Sequence, residues 1–454
     1  MAFTFSRQRA SRRKDILNVF GIFVNNNYAG GVILVLSSVF AMIAANTDLF
    51  ASFHDIWHIN ADFAIGSFKL EMSLLHWVND ALMAIFFFVV GLEIKREMMV
   101  GELSSFKQAS LPIFAAAGGM LFPALIYLFF NAGTPSANGW GIPMATDIAF
   151  SLGVISLLGS RIPLSLKIFL TALAIVDDIG AIIVLAIYYP SHEIHFGFLM
   201  FAGAILLLLI FFNRMNLHNA ALYLIPGLFL WYFVYQSGVH ATIAGVALAM
   251  CIPSKAPINE VRFFVRSKYY LDKFKEASHG ELSILANKQQ LSIIHNMHSI
   301  LRKINPLINR FEHTINPWVT FSIMPIFALA NAGVVFEGIP DISAIPNISK
   351  GVFFGLIVGK PLGIFIASYL VCKMKIAELP GDLKWSQIFS VGIIAGIGFT
   401  MSIFIDSLAF SNELIINEGK ASILISSVVA AFLGVIALRI TTSKPKPKIR
   451  RLVS

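Results

Sequence analysis

Charged residues are scarce in this chain of 454 residues, where Asp, Glu, Lys and Arg together make up only 13%. Soluble domains contain about 25% charged residues, so the shortage excludes an ordinary soluble protein. Hydrophobic residues make up 57% of the chain, and the mean hydropathy is +0.76. The composition therefore predicts an all-α membrane protein that crosses the bilayer many times.

Cysteine is scarcer still, and neither cysteine nor histidine shows a metal-ligand spacing. Cys251 and Cys372 both lie at the ends of apolar segments, which argues against a stabilising disulfide. The first apolar run is longer than the core of a signal peptide, about 7–15 residues, and no convincing cleavage site follows it. We therefore expect a retained first span, no cysteine–histidine metal centre and no cofactor.

Long apolar runs are what the chain has in abundance. A hydrocarbon core about 30 Å thick requires roughly 20 apolar residues per helix, and that length predicts twelve spans. They cover 28–46, 76–94, 109–130, 140–159, 164–189, 195–212, 219–236, 238–252, 317–335, 351–372, 388–409 and 420–440. A single twelve-span domain, 28–440, then lies between a basic N-terminal segment, 1–27, and a basic C-terminal tail, 441–454.

The positive charges predict the orientation of these spans. If the N-terminus is cytoplasmic, only Lys69, Lys350 and Lys420 of the 34 Lys and Arg residues fall in outside loops, and Lys360 lies within a span. This asymmetry follows the positive-inside rule and predicts that both termini are cytoplasmic. Topology and contact with anionic lipids then explain the net charge of +9, so we expect no nucleic-acid binding.

Two triplets of spans indicate an inverted-topology repeat. Spans 3–5 and 10–12 have opposite orientations, and breakers interrupt the middle span of each triplet: residues 139–143 precede Thr146 and Asp147 in span 4, and glycines within 392–398 occupy span 11. Paired interruptions at corresponding positions are typical of a transporter's midplane site. Close packing through glycine is the alternative for either span taken alone.

Four ionisable side chains lie within apolar spans: Asp147, Asp177, Asp178 and Lys360. Each costs about 3 kcal/mol near the bilayer centre, so together they indicate an ion or proton path. Asp177 and Asp178 are adjacent, and two carboxylates this close in a low dielectric cannot both stay ionised cheaply. Hard cations also prefer oxygen ligands. One site could therefore hold either protons or an alkali cation such as Na⁺.

Structural roles are available to the same residues. Asp147 either caps the half-helix that follows it or ligates the cation together with Thr146. Lys360 needs a counter-charge, and its candidates are Asp177 and the negative end of a broken helix. Asp406 lies near the outer end of span 11, where we expect it to be wetted by solvent.

Six strings in unbroken order resemble the NhaA family of sodium/proton antiporters. They are GLEIKREMMVGEL (91–103), the stretch 142–182, SGVHATIAG (237–245), FALANAG (327–333), IVGKPLGI (357–364) and GIGFTMSIFI (396–405). The resemblance implies a multi-pass protein of the bacterial inner membrane that expels Na⁺ and Li⁺ in exchange for incoming protons. Transport would be electrogenic and regulated by pH, with one helical bundle rocking against another and no enzymatic chemistry.

The resemblance also implies individual roles. Asp178 matches the principal cation ligand and proton carrier, Asp177 its paired aspartate, and Lys360 the lysine that pairs with that aspartate. Thr146 and Asp147 match the unwound region of crossed, broken helices. Positions linked to the pH response are matched by Glu93, Glu97, Glu312 and His240.

Sequence alone offers simpler roles at three of the pH-response positions. Glu93 and Glu97 could be solvated charges, and His240 a hydrogen-bonded packing residue. Asn316 stands where the family commonly has a histidine, and Asp406 stands where a small residue is frequent.

Two connecting segments carry further predictions. The cytoplasmic link 253–316 is longer than usual in the family, and its spacing predicts an amphipathic helix on the membrane surface or against the protein. The apolar positions of that helix are Leu291, Ile294, Leu301, Ile304 and Ile308.

The external loop 47–75 has alternating runs at 56–59, 63–65 and 68–70, which predict a β-hairpin. The family uses such a hairpin at a dimer interface, so the resemblance implies a homodimer.

Three other classes compete with an antiporter. An intramembrane aspartyl protease needs two aspartates that share a proton, but the chain has no GxGD string and such an enzyme gives Lys360 no role. An ion channel needs a continuous water-filled pore. Buried carboxylates that face a lysine suit tight exchange of single ions better than such a pore. An inactive scaffold or sensor related to the family is the third alternative.

Overall fold

Helices make up nearly all the secondary structure in the computed structural model, which describes residues 29–47, 53–65, 68–190, 193–278, 287–335 and 345–442. The helices are α1 (Ala29–Ala45), α2 (Phe53–His58), α3 (Leu74–Val100), α4 (Phe106–Asn131), α5 (Ile148–Leu157), α6 (Leu164–Tyr188), α7 (Phe196–Arg214), α8 (Ala221–Gln236), α9 (Thr242–Cys251), α10 (Glu260–Glu276), α11 (Lys288–Ile304), α12 (Leu307–Trp318), α13 (Met324–Asn331), α14 (Asn347–Lys373), α15 (Trp385–Ala395), α16 (Phe399–Ala409) and α17 (Glu413–Thr441). A 3₁₀ helix, Ala137–Met144, precedes α5. The predicted N-terminal segment 1–27 lies outside the described residues, as do residues 443–454 of the predicted tail.

Seven of the described helical segments are long and apolar enough to cross a membrane, and the bent pair α15–α16 makes an eighth. Three further apolar helices, α1, α8 and α9, are shorter, with 17, 16 and 10 residues. Each of the twelve ranges predicted from the sequence overlaps a helical segment of the described chain. The molecule is a multi-pass helical membrane protein, and the number of twelve crossings stays a prediction.

A small antiparallel hairpin lies within the predicted loop 47–75. Strand β1 (Phe63–Ile65) pairs with β2 (Phe68–Leu70), with Phe63 opposite Leu70. The alternating run at 56–59 is not a strand, because its first three residues complete helix α2. The indole of Trp77 donates to the carbonyl oxygen of Ala61 at 3.0 Å, which ties the base of the hairpin to the start of α3.

Contacts divide the chain into two units. The first unit contains residues up to Met83, 97–191 and all residues from Thr320 onwards. In it, α4 and α14 touch through their backbones, since a Cβ at either Gly118 or Gly363 would overlap the backbone of the other helix. Small residues permit such close approach in membrane helices. This packing holds α14, which carries Lys360, in the interior of the unit.

The second unit contains residues 84–96 and 192–319. Its core consists of buried apolar side chains from α3, α7, α8, α9 and α12. The rings of Phe88 on α3 and Phe311 on α12 meet edge to face at 5.7 Å between centroids. Aromatic pairs favour this geometry, so α12 is held to the core by a specific contact.

The predicted link 253–316 contains three helices, α10, α11 and most of α12, rather than one amphipathic helix. Leu291, Ile294 and Leu301 lie on α11, but Ile308 lies on α12 and is buried, whereas Ile294 and Leu301 are exposed. The assignment of all five apolar residues to one helix is therefore wrong. Pro306 is the physical reason, because proline lacks the amide that would continue α11 and instead begins a new helix.

Candidate functional site

Two interrupted helices meet in the first unit. The 3₁₀ helix Ala137–Met144 ends before α5 begins at Ile148, and α15 and α16 are bent by 49° at their break. Backbone groups in such breaks must find partners outside their own helix. They do so here, since the amide of Asp147 donates to the carbonyl of Ile397 at 2.8 Å. The two unwound segments are therefore in direct contact.

Asp147 connects the starts of two half-helices. Its Oδ1 accepts from the amide of Phe150 at 2.9 Å, which caps α5. Its Oδ2 accepts from both the amide and the hydroxyl of Thr400, at 3.2 and 2.5 Å, at the start of α16. A helix start favours negative charge. The capping role considered from the sequence is thus present, and it extends to a second helix.

Lys360 and Asp177 form a fully buried ion pair. Nζ of Lys360 lies 2.6 Å from Oδ2 of Asp177, and the two side chains are 0% and 1% exposed. The hydroxyl of Thr146 donates to the same Oδ2 at 2.6 Å and lies 3.0 Å from the carbonyl oxygen of Ala395. Lys360 also donates to the carbonyl of Met144, at the end of the 3₁₀ helix. It therefore contacts both of the counter-charges considered for it.

Asp178 follows Asp177 on α6 and is also buried. Successive residues on an α-helix are rotated by about 100° about its axis, so the two carboxylates point in different directions from one level of the helix. Three buried aspartates thus accompany one buried lysine, and the negative charge of the ionised site exceeds the positive charge. Protons or a small cation could supply the difference.

Thr400 and Ser402 take part in the site but were not assigned from the sequence. Thr400 donates twice to Asp147, and the hydroxyl of Ser402 donates to the carbonyl of Ile142 at 2.7 Å, which ties α16 to the 3₁₀ helix. Thr400 lies two residues after Gly398 in a glycine-rich break, and Thr146 lies three residues after Pro143 in another break. That correspondence is the signal that could have identified Thr400.

Asp406 is fully buried, so the expectation that solvent wets it is wrong. Its carboxylate packs against Gly419 of α17, where a Cβ would collide with it. Neither of its carboxylate oxygens has a hydrogen-bond partner among the described residues. The position of Asp406 near the end of its span predicted that solvent reaches the carboxylate. The packing of α17 against α16 covers it instead.

The four residues matched to a pH response lie in different local environments. In the second unit, Glu312 pairs with Arg96 at 2.6 Å, Glu93 is half-buried, and Nδ1 of buried His240 lies 3.2 Å from the Thr242 hydroxyl. In the first unit, Glu97 accepts from the amide of Glu102 at 3.2 Å. Their roles in a pH response stay predictions.

These features define a class of protein: a multi-pass helical membrane protein with buried carboxylates and a buried lysine where two interrupted helices meet. The chain belongs to the Na⁺/H⁺ antiporter 1 family, which matches residues 22–438. This finding and the relatives below confirm the resemblance to the NhaA family.

Individual relatives show the same likeness along nearly the whole chain. The Na(+)/H(+) antiporter NhaA of Oleidesulfovibrio alaskensis is 44% identical over 433 residues, which cover 95% of this chain and 96% of that protein. The protein of the same name from Helicobacter pylori strain G27 is 43% identical over 418 residues, covering 92% and 94%. That of Syntrophobacter fumaroxidans is 42% identical over 443 residues, covering 95% and 93%. These names describe transporters rather than enzymes.

Proposed function

We propose that this chain is a secondary antiporter that expels Na⁺, and also Li⁺, in exchange for incoming protons. The observation that carries the proposal is the buried group of three aspartates and one lysine at the meeting point of two interrupted helices. The name of the relatives, Na(+)/H(+) antiporter, supports the same activity.

Competition for carboxylate oxygens is the proposed mechanism. Lys360 offsets the charge of Asp177, so deprotonation of Asp147 and Asp178 leaves two negative charges, one of which a monovalent cation offsets. Alkali cations take oxygen ligands, as harder cations do, and Asp178 is the proposed principal ligand, with Asp177, Asp147 and Thr146 beside it. Proton binding at the same oxygens expels the cation.

Transport by this scheme is electrogenic if two protons enter for each cation that leaves. One net charge then crosses the membrane per cycle, and its movement is worth about 2.3 kcal/mol per 100 mV. A membrane potential that is negative inside would therefore drive cation export. A voltage-sensitive dye in proteoliposomes should report a potential when Na⁺ exchanges for protons, and a silent dye would contradict this part of the proposal.

The decisive experiment uses everted membrane vesicles with an imposed proton gradient. Added Na⁺ or Li⁺ should partly collapse the gradient with the wild-type protein but not with Asp178→Asn. Asp406→Asn is the matched control, since it removes an equally buried carboxylate of the same type outside the site. Exchange by Asp178→Asn at the wild-type rate would contradict the proposal. Cation flux without counter-movement of protons would indicate a channel.

The arrangement in the membrane is part of the proposal: twelve spans with an inverted repeat, in the inner membrane of a bacterium, with both termini cytoplasmic and anionic lipids at the basic inner face. The distribution of Lys and Arg in the sequence supports it. Glu71→Cys and Lys275→Cys place exposed thiols in loop 47–75 and link 253–316. An impermeant thiol reagent added to intact spheroplasts should label only Glu71→Cys, and the reverse pattern would contradict the orientation.

Regulation by pH is proposed to involve Glu93, Glu97, Glu312 and His240. Glu97→Gln should shift the pH profile of exchange, and a profile identical to that of the wild type would remove this residue from the set.

Assembly as a homodimer through the β1–β2 hairpin is also proposed, because loop 47–75 contains that hairpin. Deletion of residues 60–72 should then convert dimers to monomers in light-scattering measurements of purified protein.

A further inference from the structure

A basic cavity of about 450 Å³ lies in the second unit, apart from the carboxylate residues described above. It is bounded by the loop between α7 and α8, helix α11 and the start of α12. Its wall carries three histidines and three permanent cations: His218, His295, His298, Arg302, Lys303 and Arg310. No carboxylate is among the described residues that line it.

The local sequence explains why these side chains converge. His295, His298 and Arg302 are spaced i, i+3 and i+7 on α11, so they share one face of that helix. Pro306 ends α11 and starts α12, and this change of direction brings Arg310 to the same cavity. The opposite wall is fixed as well, because Nε2 of His218 donates to the carbonyl oxygen of Lys255 at 2.9 Å.

The positive charge of the cavity is not offset within the described part of the chain. Arg302, Lys303 and Arg310 take part in none of the ion pairs found there. Burial, followed by the neighbouring guanidinium of Arg302, lowers the pKa of Arg310 from its ordinary value. Like charges gathered in a concave site raise the local concentration of anions, and a bound anion would relieve their repulsion.

We propose that this cavity binds a phosphate-bearing anion. Guanidinium groups match phosphate oxygens with paired, charge-assisted hydrogen bonds, and a lysine adds a point charge. The hydroxyl of Ser299 and the amide of Asn305 supply further hydrogen-bond donors in the wall. Small-molecule sites typically have volumes of about 300–1,000 Å³, so the cavity has room for a phosphorylated solute or a phospholipid headgroup. This site does not depend on the proposed transport activity.

General attraction of a basic surface for anions is the competing explanation, and the same link offers a control for it. Arg262 and Arg266 lie on α10, are exposed, and do not line the cavity. Arg262→Gln with Arg266→Gln therefore removes the same charge as Arg302→Gln with Arg310→Gln. A site in the cavity predicts different effects of the two pairs, whereas a diffuse basic surface predicts equal effects.

The first arm of the test measures pyrophosphate binding to the purified full-length protein in a nonionic detergent, by calorimetry at fixed ionic strength. Loss of both cavity arginines should weaken binding by more than about tenfold, because hydrogen bonds between guanidinium groups and phosphate oxygens are among the strongest that proteins make. The α10 pair should change it by less than about twofold. Arg302→Lys with Arg310→Lys, which keeps the charge and the fold but loses the forked geometry, should give an intermediate loss.

The second arm places the protein in nanodiscs of phosphatidylcholine with or without phosphatidylglycerol. Modification of His295 and His298 by diethyl pyrocarbonate reports whether the cavity is occupied. Protection by phosphatidylglycerol that disappears in the Arg302→Gln/Arg310→Gln variant identifies a lipid headgroup as the ligand, whereas pyrophosphate binding in detergent identifies a soluble phosphate. If neither probe engages the cavity, or if both variant pairs weaken binding equally, the proposal is overturned.

Discussion

Two ion pairs of equal length lie in the two units. Lys360 and Asp177 in the first unit and Arg96 and Glu312 in the second unit are both 2.6 Å apart. Their exposure differs, because the side chains of the first pair are 0% and 1% exposed and those of Arg96 and Glu312 are 37% and 12% exposed. Distance alone would therefore predict that the two pairs stabilise the protein equally.

Burial decides what each pair does to the protein. A buried charge that loses its partner is left in a medium that solvates it poorly, so breaking such a pair is strongly destabilising. A pair that water reaches gains little, because solvent screens both charges whether or not they meet. Removal of one member of the Lys360–Asp177 pair should therefore be strongly destabilising, whereas removal of one member of the Arg96–Glu312 pair should cost little.

The largest expected effect is that of Lys360→Met. Asp177 would keep the hydrogen bond from Thr146 but lose its counter-charge, and the free energy of unfolding should fall by about 3–5 kcal/mol. Thermal unfolding of the detergent-solubilised protein, followed by loss of the monodisperse peak in size-exclusion chromatography, measures the change.

A second substitution separates the loss of the pair from the loss of lysine packing. Lys360→Met combined with Asp177→Asn removes both charges, and replacement of both members of a buried pair is often close to neutral. The double variant should therefore recover more than half of the lost stability while still failing to exchange Na⁺ for protons. A double variant no more stable than Lys360→Met would mean that lysine packing, not charge, is what matters.

Asp147→Ala should have the next largest effect. The amides of Phe150 and Thr400 and the hydroxyl of Thr400 would lose their acceptors. Loss of a helix cap together with unsatisfied buried donors should lower the free energy of unfolding by about 2–3 kcal/mol. Asp147→Asn keeps one acceptor oxygen and should lose about half as much. Equal melting temperatures for Asp147→Ala and the wild type would show that these contacts do not stabilise the crossing.

Sequence patterns predicted the helical segments and both interruptions, because apolar run length and helix breakers are local properties. They could not decide between the roles open to Asp147, since a cap and a ligand require the same carboxylate at the same place. Thr400 was missed because its partner, Asp147, is 253 residues away in the chain. The error at Asp406 has the same origin: a sequence gives the position of a residue along a helix but not the helix that packs over it.

Asp406→Ser extends the comparison to a buried carboxylate whose oxygens have no hydrogen-bond partner among the described residues. Burial of a polar group without a hydrogen bond is unfavourable, and a serine hydroxyl can donate to a carbonyl of its own helix. The substitution should raise the free energy of unfolding by about 1–2 kcal/mol and leave Na⁺/H⁺ exchange intact. Asp147→Ser, the matched control, should lower it. A loss of stability in Asp406→Ser would mean that this carboxylate stabilises the fold.

Arg96→Gln should have the smallest effect. A partly exposed pair typically contributes about 0.2–1 kcal/mol, and salt screens it further because the Debye length is about 8 Å at physiological ionic strength. A double-mutant cycle of Arg96→Gln and Glu312→Gln isolates the coupling between the two charges, and the coupling should shrink as salt is added. The equivalent cycle for Lys360 and Asp177 should be several times larger and insensitive to salt, because ions cannot reach a pair with less than 2% exposure. If the two cycles gave equal couplings, burial would not be the property that separates these two pairs.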